Sequence, residues 1–531
     1  MVTGDFFTPI SSAQLLLIMA GEGSNSPILD FLRGKKIFLT GGTGFVGVAL
    51  IEKLLRTTEV DTIYLLMRPK KGKQIAERLQ ELEKNSGFER LVKECPEKPF
   101  ARLKAVAGDV SEEGLGLLPE DRQMLAREVQ LVFHSAATLD FESPLKPTVA
   151  TNLLGTRRVI ELCREMSKLE AMVHVSSAYV NSDKKKVEEI LYDPPADVEK
   201  VINIATTLND EAVDAMTPKL LGELPNAYAL TKNLAEHEVS KAVQYFPVAI
   251  VRPSMITAAW KEPVPGWTIS KNGPTGFMMG AAKGVVRRLP MKTDVVCDYI
   301  PVDCVVNELI AASWEAATTR PNKVLVYHCT SSTRNPFRWA KIENHVNTYL
   351  HKYPLNSAVW YPHLKFLPSL LLFRISAIFV HFAPAYVLDT VMRVAGGRPI
   401  LVRLHTNVSR SLSRLEPFIF SEWFFDNKNT LALQKKLSAK DADLFNLDVG
   451  SLQWENYFID LAQGVRQYLN NESPKTLPAA RHKDTILLVA HLSLQAVLYG
   501  LLWWAVSSAL NASFAGTGWA VIIAYILFSF L

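Results

Sequence analysis

A chain of 531 residues exceeds the usual length of one domain, and 48% hydrophobic residues suffice for a large core. The net charge of +5 is spread along the chain, with no arginine-rich arm and no basic stretch interleaved with aromatics, which argues against a nucleic-acid partner. Five cysteines without a CxxC pair read as reduced thiols of a cytosol-facing protein, and histidines without HExxH or comparable spacing give no expectation of a metal.

Residues 1–30 form a poorly specified lead-in, whose apolar patch at 15–20 is too short for a signal-peptide core. The organised part begins with KKIFLTGGTGFVGVALIEKLLR, residues 35–56. A short apolar strand ends in a glycine-rich turn that opens directly into an amphipathic helix. Gly41, Gly44 and Gly47 stand three residues apart, flanked by Thr40 and Phe45. One glycine permits the tight turn, one lets backbone approach a pyrophosphate, and one packs helix against strand. The free N–H groups at the helix start face the anion.

A second strand over 62–67 runs into Arg68-Pro69-Lys70-Lys71-Gly72. An acidic residue there would take a ribose 2′-hydroxyl, whereas a basic one suits a 2′-phosphate. Arg68, with Lys70 or Lys71 nearby, therefore predicts NADPH over NADH. A charged helical segment over 74–93 follows. The strand-like run 103–107 ends at Gly108-Asp109-Val110, placing Asp109 and Val110 for contact with an adenine ring. The run 131–133 leads into His134-Ser135-Ala136-Ala137, where the small Ala136 and Ala137 let a cofactor lie flat. Asn152 opens another helix. Strand 172–175 ends in Ser176-Ser177, and strand 248–251 ends at Arg252-Pro253, with Pro253 beside the cofactor. Strands alternating with helices predict an α/β fold with a doubly wound parallel sheet, its ligand at the carboxyl ends of the strands.

Tyr228 and Lys232 are four apart in NAYALTK and share a helix face. Hydride delivered to a carbonyl leaves a developing alkoxide that needs a proton or strong donors. A phenol with a pKa of about 10 is brought down by a nearby ammonium. Tyr228 is thus the proton donor and Lys232 its modulator, which can also hold a nicotinamide ribose. Ser177 donates a hydrogen bond to the substrate oxygen, in preference to Ser176.

These features resemble the extended short-chain dehydrogenases/reductases. The stretches TGGTGFVGVALIEKLLR, LLMRPKKGK, HVSSAYVN, NAYALTKNLAEHEV, VRPSMI, NGPTGF, DYIPVDCVVNELI, NPFRW, WFFDNKNT and FNLDVGSLQWENYFIDLAQGVRQYL resemble, in order, the eukaryotic alcohol-forming fatty acyl-CoA reductases. The family often has threonine where this chain has Ser177, and either hydroxyl can serve. The resemblance implies two NADPH-dependent reductions, of a fatty acyl-CoA to a bound aldehyde with release of CoA, then of the aldehyde to a primary alcohol. It also implies fatty acyl-CoA as substrate and allows a homodimer paired through helices. A steroid or sugar-nucleotide dehydrogenase of the same superfamily is the enzymatic alternative, and a non-catalytic membrane-anchored nucleotide-binding scaffold the non-enzymatic one.

The expected division is a reductase domain over 31–350, a helical domain over 355–475 and a membrane tail over 485–531. Residues 485–531 contain no Asp, Glu, Lys or Arg. The run 485–510 is long enough for a membrane helix, 511–518 is a small polar break, and 519–531 is apolar but short. The tail is one span plus an interfacial segment, or a hairpin of two. Arg481, His482 and Lys483 before it put the large N-terminal part in the cytosol. The membrane expected is the endoplasmic reticulum, with the peroxisome as alternative. The apolar run 366–388 is interrupted by Pro368, Arg374, His381 and Pro384. It is expected to line an acyl pocket or rest on the membrane rather than cross it, because Arg374 at mid-bilayer would cost about 2.5–3.5 kcal/mol or more.

Overall fold

A computed structural model describes residues 25–69 and 72–530, the side chains of 527–530 apart. Lys70 and Lys71 lie outside the described residues. The end of the lead-in is a short helix, Pro27–Leu32, begun by the Ser26 side chain accepting from the Leu29 N–H.

The centre is a parallel sheet of seven strands: β1 (Lys36–Thr40), β2 (Thr62–Met67), β3 (Leu103–Ala107), β4 (Leu131–His134), β5 (Ala171–Val175), β6 (Val248–Pro253) and β7 (Leu325–Cys329). They lie in the order β3-β2-β1-β4-β5-β6-β7. Ile37, Phe38 and Leu39 are all fully buried because helices cover both faces, and alternate residues feed two cores. Ile37, Leu39, Phe133 and Val173 enter one, while Phe38, Val132, Met172 and Ile250 enter the other. The chain runs outward from β1 to β3 and restarts on the other side with β4. The crevice at the carboxyl ends of β1 and β4 is therefore the switch point where such sheets take ligands. The strands expected at 62–67 and 103–107 have those bounds, and the short apolar strand before the glycine turn is Lys36–Thr40. β7, which pairs Leu325–Cys329 with β6, extends the sheet beyond the strands expected.

Four helices position the site. They are α1 (Phe45–Thr57), α2 (Leu154–Glu165), α3 (Asp210–Leu221) and α4 (Ala227–Lys241). A π turn, Val149–Leu153, precedes α2 and holds Asn152. The Asn226 side chain caps α4 by accepting from the Ala229 N–H at 2.9 Å, which fixes where Tyr228 starts its helix. Helix α5 (Val302–Thr319) packs across α1, β5 and β6. The charged segment 74–93 is two helices, Ile75–Glu83 and Glu89–Glu94, parted by a turn that buries Phe88.

The C-terminal third is mostly helical, as expected, but two short strands stitch it to the rest: Lys365–Leu367 pairs with Arg288–Pro290, and Phe424–Phe425 with Lys186–Val187. Its helices are α6 (Leu370–Ala377), α7 (Ala383–Val394) after a π turn at Ile378–Phe382, α8 (Leu401–Phe420) and α9 (Trp454–Gly464). The tail forms α10 (Leu477–Ala509) and α11 (Phe514–Phe530). The break is shorter than expected, with Asn511 at φ +48°. Ser507 bonds Thr517, and the rings of Tyr499 and Tyr525 lie 6.4 Å apart, so α11 folds back antiparallel on α10.

Candidate active site

The glycine turn is built as the sequence implies. Gly41 has φ +77°, and a Cβ there would meet the Ala136 backbone N at 2.7 Å. A Cβ on Gly47 would stand 2.4 Å from the Gly41 oxygen. Gly44 closes the turn, its N–H donating to the Gly41 carbonyl at 2.9 Å, and is the N-cap of α1. Thr43 and Gly44 are exposed, so the α1 N-terminus faces open space where an anion can sit. Phe45 is half-buried against Trp267, with rings 5.3 Å apart. Ala136 and Ala137 are half-buried at the end of β4, beside this turn. The cradle, the bare helix start and the small residues opposite fit a dinucleotide.

Other expected cofactor positions are occupied differently. Thr40 is fully buried; its hydroxyl bonds His134 Nδ1 at 2.7 Å and accepts from the Ala136 N–H at 3.2 Å, tying β1 to β4. Asn152 is also buried: its Oδ1 accepts from the Thr138 N–H at 2.9 Å, and its Nδ2 donates to the Thr231 hydroxyl at 3.2 Å. It links the loop after Ala137 to the residue before Lys232. Val110 packs inward beneath Gly155. Arg68 donates to Asp109 at 3.0 Å at the ends of β2 and β3, with the Arg68 side chain 59% exposed. Burial pulls the Asp109 carboxyl up, but hydrogen bonds from Ser111 and Arg68 outweigh it and hold the group below its ordinary pKa. Pro253 ends β6, buried beside β5.

The three chemical residues meet at the end of β5. The Ser177 hydroxyl accepts from the Tyr179 N–H at 3.3 Å and lies close enough to the Tyr228 phenol to lower its pKa. The Lys232 ammonium is buried and donates to the Val175 carbonyl at 2.7 Å. Burial lowers its pKa to about 8, with Glu236 one turn away pulling it back up. Tyr228 exposes part of its ring while its phenol oxygen lies deep. Burial pushes that phenol up to about 12, and the Ser177 hydroxyl opposes the rise. The expected lowering of this phenol by Lys232 is not seen, since the ammonium is turned to Val175; burial dominates and keeps Tyr228 protonated at neutral pH, the form a proton donor needs. Ser176, by contrast, donates to Glu236 at 2.6 Å, and Glu236 pairs with the fully buried Arg252. The two neighbouring serines are thereby separated into one bonded to the frame and one at the tyrosine.

A cleft of about 730 Å³ opens beside Tyr228, between the loop after β4, α3, the start of α4 and the end of α8. Phe141, Leu221, Pro225, Pro417 and Phe420 are among its walls. The Phe141 ring lies 5.4 Å from Tyr228 and 6.2 Å from Phe418. Tyr179 packs edge-on against Phe418, Trp423 and Phe425. None of these wall residues was legible as part of a site, because α8 reaches it from far along the chain.

Two family models described as male sterility protein match the chain, an NAD-binding one over residues 39–309 and a second over 380–472. The fatty acyl-CoA reductase 1 of Xenopus laevis is 37% identical over 477 residues, 90% of this chain and 92% of that one. This chain belongs to the fatty acyl-CoA reductase family. The human fatty acyl-CoA reductase 1 is 35% identical over the same share of each chain, and the Drosophila melanogaster fatty acyl-CoA reductase candidate CG8306 is 54% identical over 89% of this chain and 93% of that one. Among solved structures, the reductase domain of a Mycobacterium tuberculosis non-ribosomal peptide synthetase superposes with a TM-score of 0.54 at 20% identity, covering 87% of this reductase and 96% of that chain. The terminal R domain of the myxalamid pathway gives 0.52 at 20% identity over 86% and 97%. These two likenesses establish the fold.

Proposed function

We propose that this enzyme reduces long-chain fatty acyl-CoA to a primary fatty alcohol with NADPH in two successive reductions, releasing CoA after the first. The observation that carries the reading is the Ser177–Tyr228–Lys232 group at the end of β5, with a cleft walled in part by Phe141, Leu221, Pro417 and Phe420 that begins at Ala227, the residue before Tyr228. The curated relatives bearing the fatty acyl-CoA reductase name support the substrate class. The dinucleotide pyrophosphate would rest on Gly41, Gly44 and the α1 N-terminus, with Arg68 at a 2′-phosphate. When bound, the reduced nicotinamide supplies hydride to the substrate carbonyl carbon.

This chain's residues supply the rest. Ser177 and Tyr228 hold the carbonyl oxygen, and Tyr228 gives it a proton as negative charge develops. Lys232, fixed by Val175, keeps positive charge beside the phenolate that results. The thioester step ends as the hemithioacetal O–H returns its proton to Tyr228, the carbon–sulfur bond breaks and CoA leaves as thiolate, taking its own proton from solvent. The aldehyde then presents the same oxygen to the same two donors. The cleft walls exclude water from the acyl chain. The tail anchors the enzyme by α10, which is uncharged from residue 485 and long and apolar enough to cross a membrane. Arg481, His482 and Lys483 keep the catalytic part on the cytosolic side. The membrane is that of the endoplasmic reticulum, with the peroxisome as alternative.

The test incubates membranes from expressing cells with NADPH and a series of saturated and unsaturated acyl-CoAs, with mass spectrometry of the lipids. Fatty alcohol is expected, and Tyr228→Phe should lower its rate on the order of 10²-fold or more. Oxidation of a sterol or sugar nucleotide with no alcohol from any acyl-CoA would overturn the reading.

A further inference from the structure

Helices α6 and α7 carry a long apolar stripe that the rest of the described protein leaves uncovered. Leu371, Ile375, Phe379, Val387, Val391 and Val394 are between 40% and 87% exposed. They recur mostly at intervals of four along one side of the two helices, and the π turn at Ile378–Phe382 carries the stripe from one helix to the next. So much contiguous exposed apolar surface marks an interaction face. Over residues 370–415 there are six arginines, of which Arg374 and Arg393 lie on α6 and α7, Arg398, Arg403 and Arg410 follow, and Arg414 pairs with Glu142 at the cleft, against a single carboxylate, Asp389. Asp389 is turned inward, accepting from the N–H groups of Ile400, Leu401 and Val402 at 2.9–3.1 Å and closing the turn into α8.

The segment Leu370–Val394 is long and apolar enough to span a bilayer, but its packing argues against that. A third of its most apolar window is buried in the protein. Its return helix α8 runs alongside, with the rings of His381 and His405 stacked at 4.9 Å, and carries Arg403, Arg410, Arg414 and Glu416. The far end of α8 reaches the active site, where Phe418 packs on Tyr179 and Phe141. A hairpin so placed can touch a bilayer from one side only.

The hairpin is also joined to the tail. His381 accepts from the backbone N–H groups of Arg287 and Arg288 at 3.1 and 3.3 Å. The Arg287 guanidinium lies 3.5 Å from His491 of α10, whose Nδ1 accepts from the Trp360 indole at 3.2 Å. His491 stands six residues into the uncharged run of α10, so the hairpin lies beside the tail where its uncharged part begins.

We propose that α6 and α7 lie in the plane of the same membrane that holds the tail. Their apolar stripe sinks into the headgroup–acyl boundary of one leaflet and their arginines contact anionic lipid. The bilayer, rather than a second copy of the chain, is the occupant because the hairpin is tied through Arg287 to α10, whose own apolar side chains are exposed, and because it is flanked by cations. Helix α8 then leads from this contact to the cleft beside Tyr228, which gives a membrane-dissolved acyl chain a short route to the site. This last step rests on the proposed long-chain acyl substrate.

The test uses the full chain with Cys95→Ser, reconstituted in phosphatidylcholine–phosphatidylserine vesicles and labelled with an environment-sensitive fluorophore at Phe379→Cys, Val387→Cys or, as control, Asn407→Cys. Lipids brominated high on the acyl chain should quench labels at 379 and 387 more than lipids brominated near its end, and should spare 407. Equal quenching at all three sites, or none at any, overturns the proposal. Quenching of 379 strongest by lipids brominated near the chain end, with 387 reached by an aqueous quencher only from the vesicle interior, would mean a span and overturns it too, as would cross-linking of 387 between copies. A second readout compares Phe379→Asp/Val387→Asp with the parent. The KM for a vesicle-borne long-chain acyl-CoA should rise about tenfold or more, with the rate on a water-soluble short acyl-CoA unchanged. An unlabelled parent without turnover would sink the substrate reading and leave the quenching result to stand alone.

Discussion

Gly47→Ala sets two physical effects against each other, and the structure decides the sign. Gly47 lies inside α1, where alanine is normally favoured by about 1 kcal/mol. A Cβ there, however, would stand 2.4 Å from the Gly41 oxygen and 2.4 Å from the Gly42 Cα. Those are backbone atoms of the turn, with no side chain to swing aside, and comfortable carbon contacts are about 3.5–4.0 Å. The turn must retreat from α1 by about an ångström, and overpacking of this kind costs about 1–3 kcal/mol. The net expectation is a loss of up to about 2 kcal/mol in stability rather than a gain. The retreat also shifts the N–H groups that would receive the pyrophosphate. Losing one such charge-assisted bond, at about 1.5–3 kcal/mol, weakens dinucleotide binding by about 10- to 100-fold. Gly44→Ala, whose Cβ would meet only the Gly41 oxygen at 3.2 Å, should cost much less. Titration of NADPH fluorescence and thermal melts of the two variants supply both readouts. A Gly47→Ala protein that binds as tightly as the parent and melts higher would refute the reasoning, as would Gly44→Ala being the weaker binder.

The adjacent serines should separate by assay. Ser177→Ala should lower kcat with little change in melting temperature. Ser176→Ala should lower the melting temperature, through loss of a hydrogen bond to a buried carboxylate at about 1.5–3 kcal/mol, and spare kcat. The opposite pattern would reassign the donor. Arg68→Ser should raise the KM for NADPH about tenfold or more while leaving that for NADH within about twofold, since its pairing with Asp109 is exposed and structurally weak. Equal effects on both cofactors would remove Arg68 from the 2′-phosphate site. Lys232, with its pKa lowered to about 8, is charged below that value and neutral above it, so kcat/KM should fall as pH rises through about 8. A profile flat to about pH 9.5 would show that its charge is not needed.

What the sequence made legible is what local chemistry determines. The glycine turn could be read because only glycine tolerates φ +77° at Gly41 and the close approach at Gly47. The parallel strands could be read because a sheet buried on both faces needs unbroken apolar runs. Tyr228 and Lys232 could be paired because four residues make one helical turn. The roles of Thr40 and Asn152 were less accessible, since each is defined by a partner distant in sequence: His134 for one, Thr138 and Thr231 for the other. The cleft was invisible for the same reason. Its walls come from the loop at Phe141, from α3 and from the end of α8, and no periodicity links residue 141 to residue 420. The strand pairs at Lys365–Leu367 and Phe424–Phe425 are too short to leave a period-two signal.

The buried pair of Arg252 and Glu236 connects stability to chemistry in one place. Arg252 is fully buried and gives two guanidinium bonds to Glu236, at 2.8 and 2.6 Å, and one to the Ile190 carbonyl at 2.9 Å. Glu236 also accepts from Ser176, and its charge, one turn along α4, raises the pKa of Lys232 against the larger lowering by burial. The pair therefore clamps α4 to the ends of β5 and β6 and tunes the lysine at the site. Glu236→Gln keeps the side-chain shape but leaves the Arg252 charge buried without a counter-charge, which costs about 3–5 kcal/mol. The same change removes the influence that keeps Lys232 protonated, so its pKa must fall further. The alkaline limb of kcat/KM then moves to lower pH in the variant, measured at a temperature where both proteins remain folded. A purely structural role for Glu236 would lower the melting temperature and leave the limb where it was, and a limb displaced to higher pH would contradict the electrostatic argument outright.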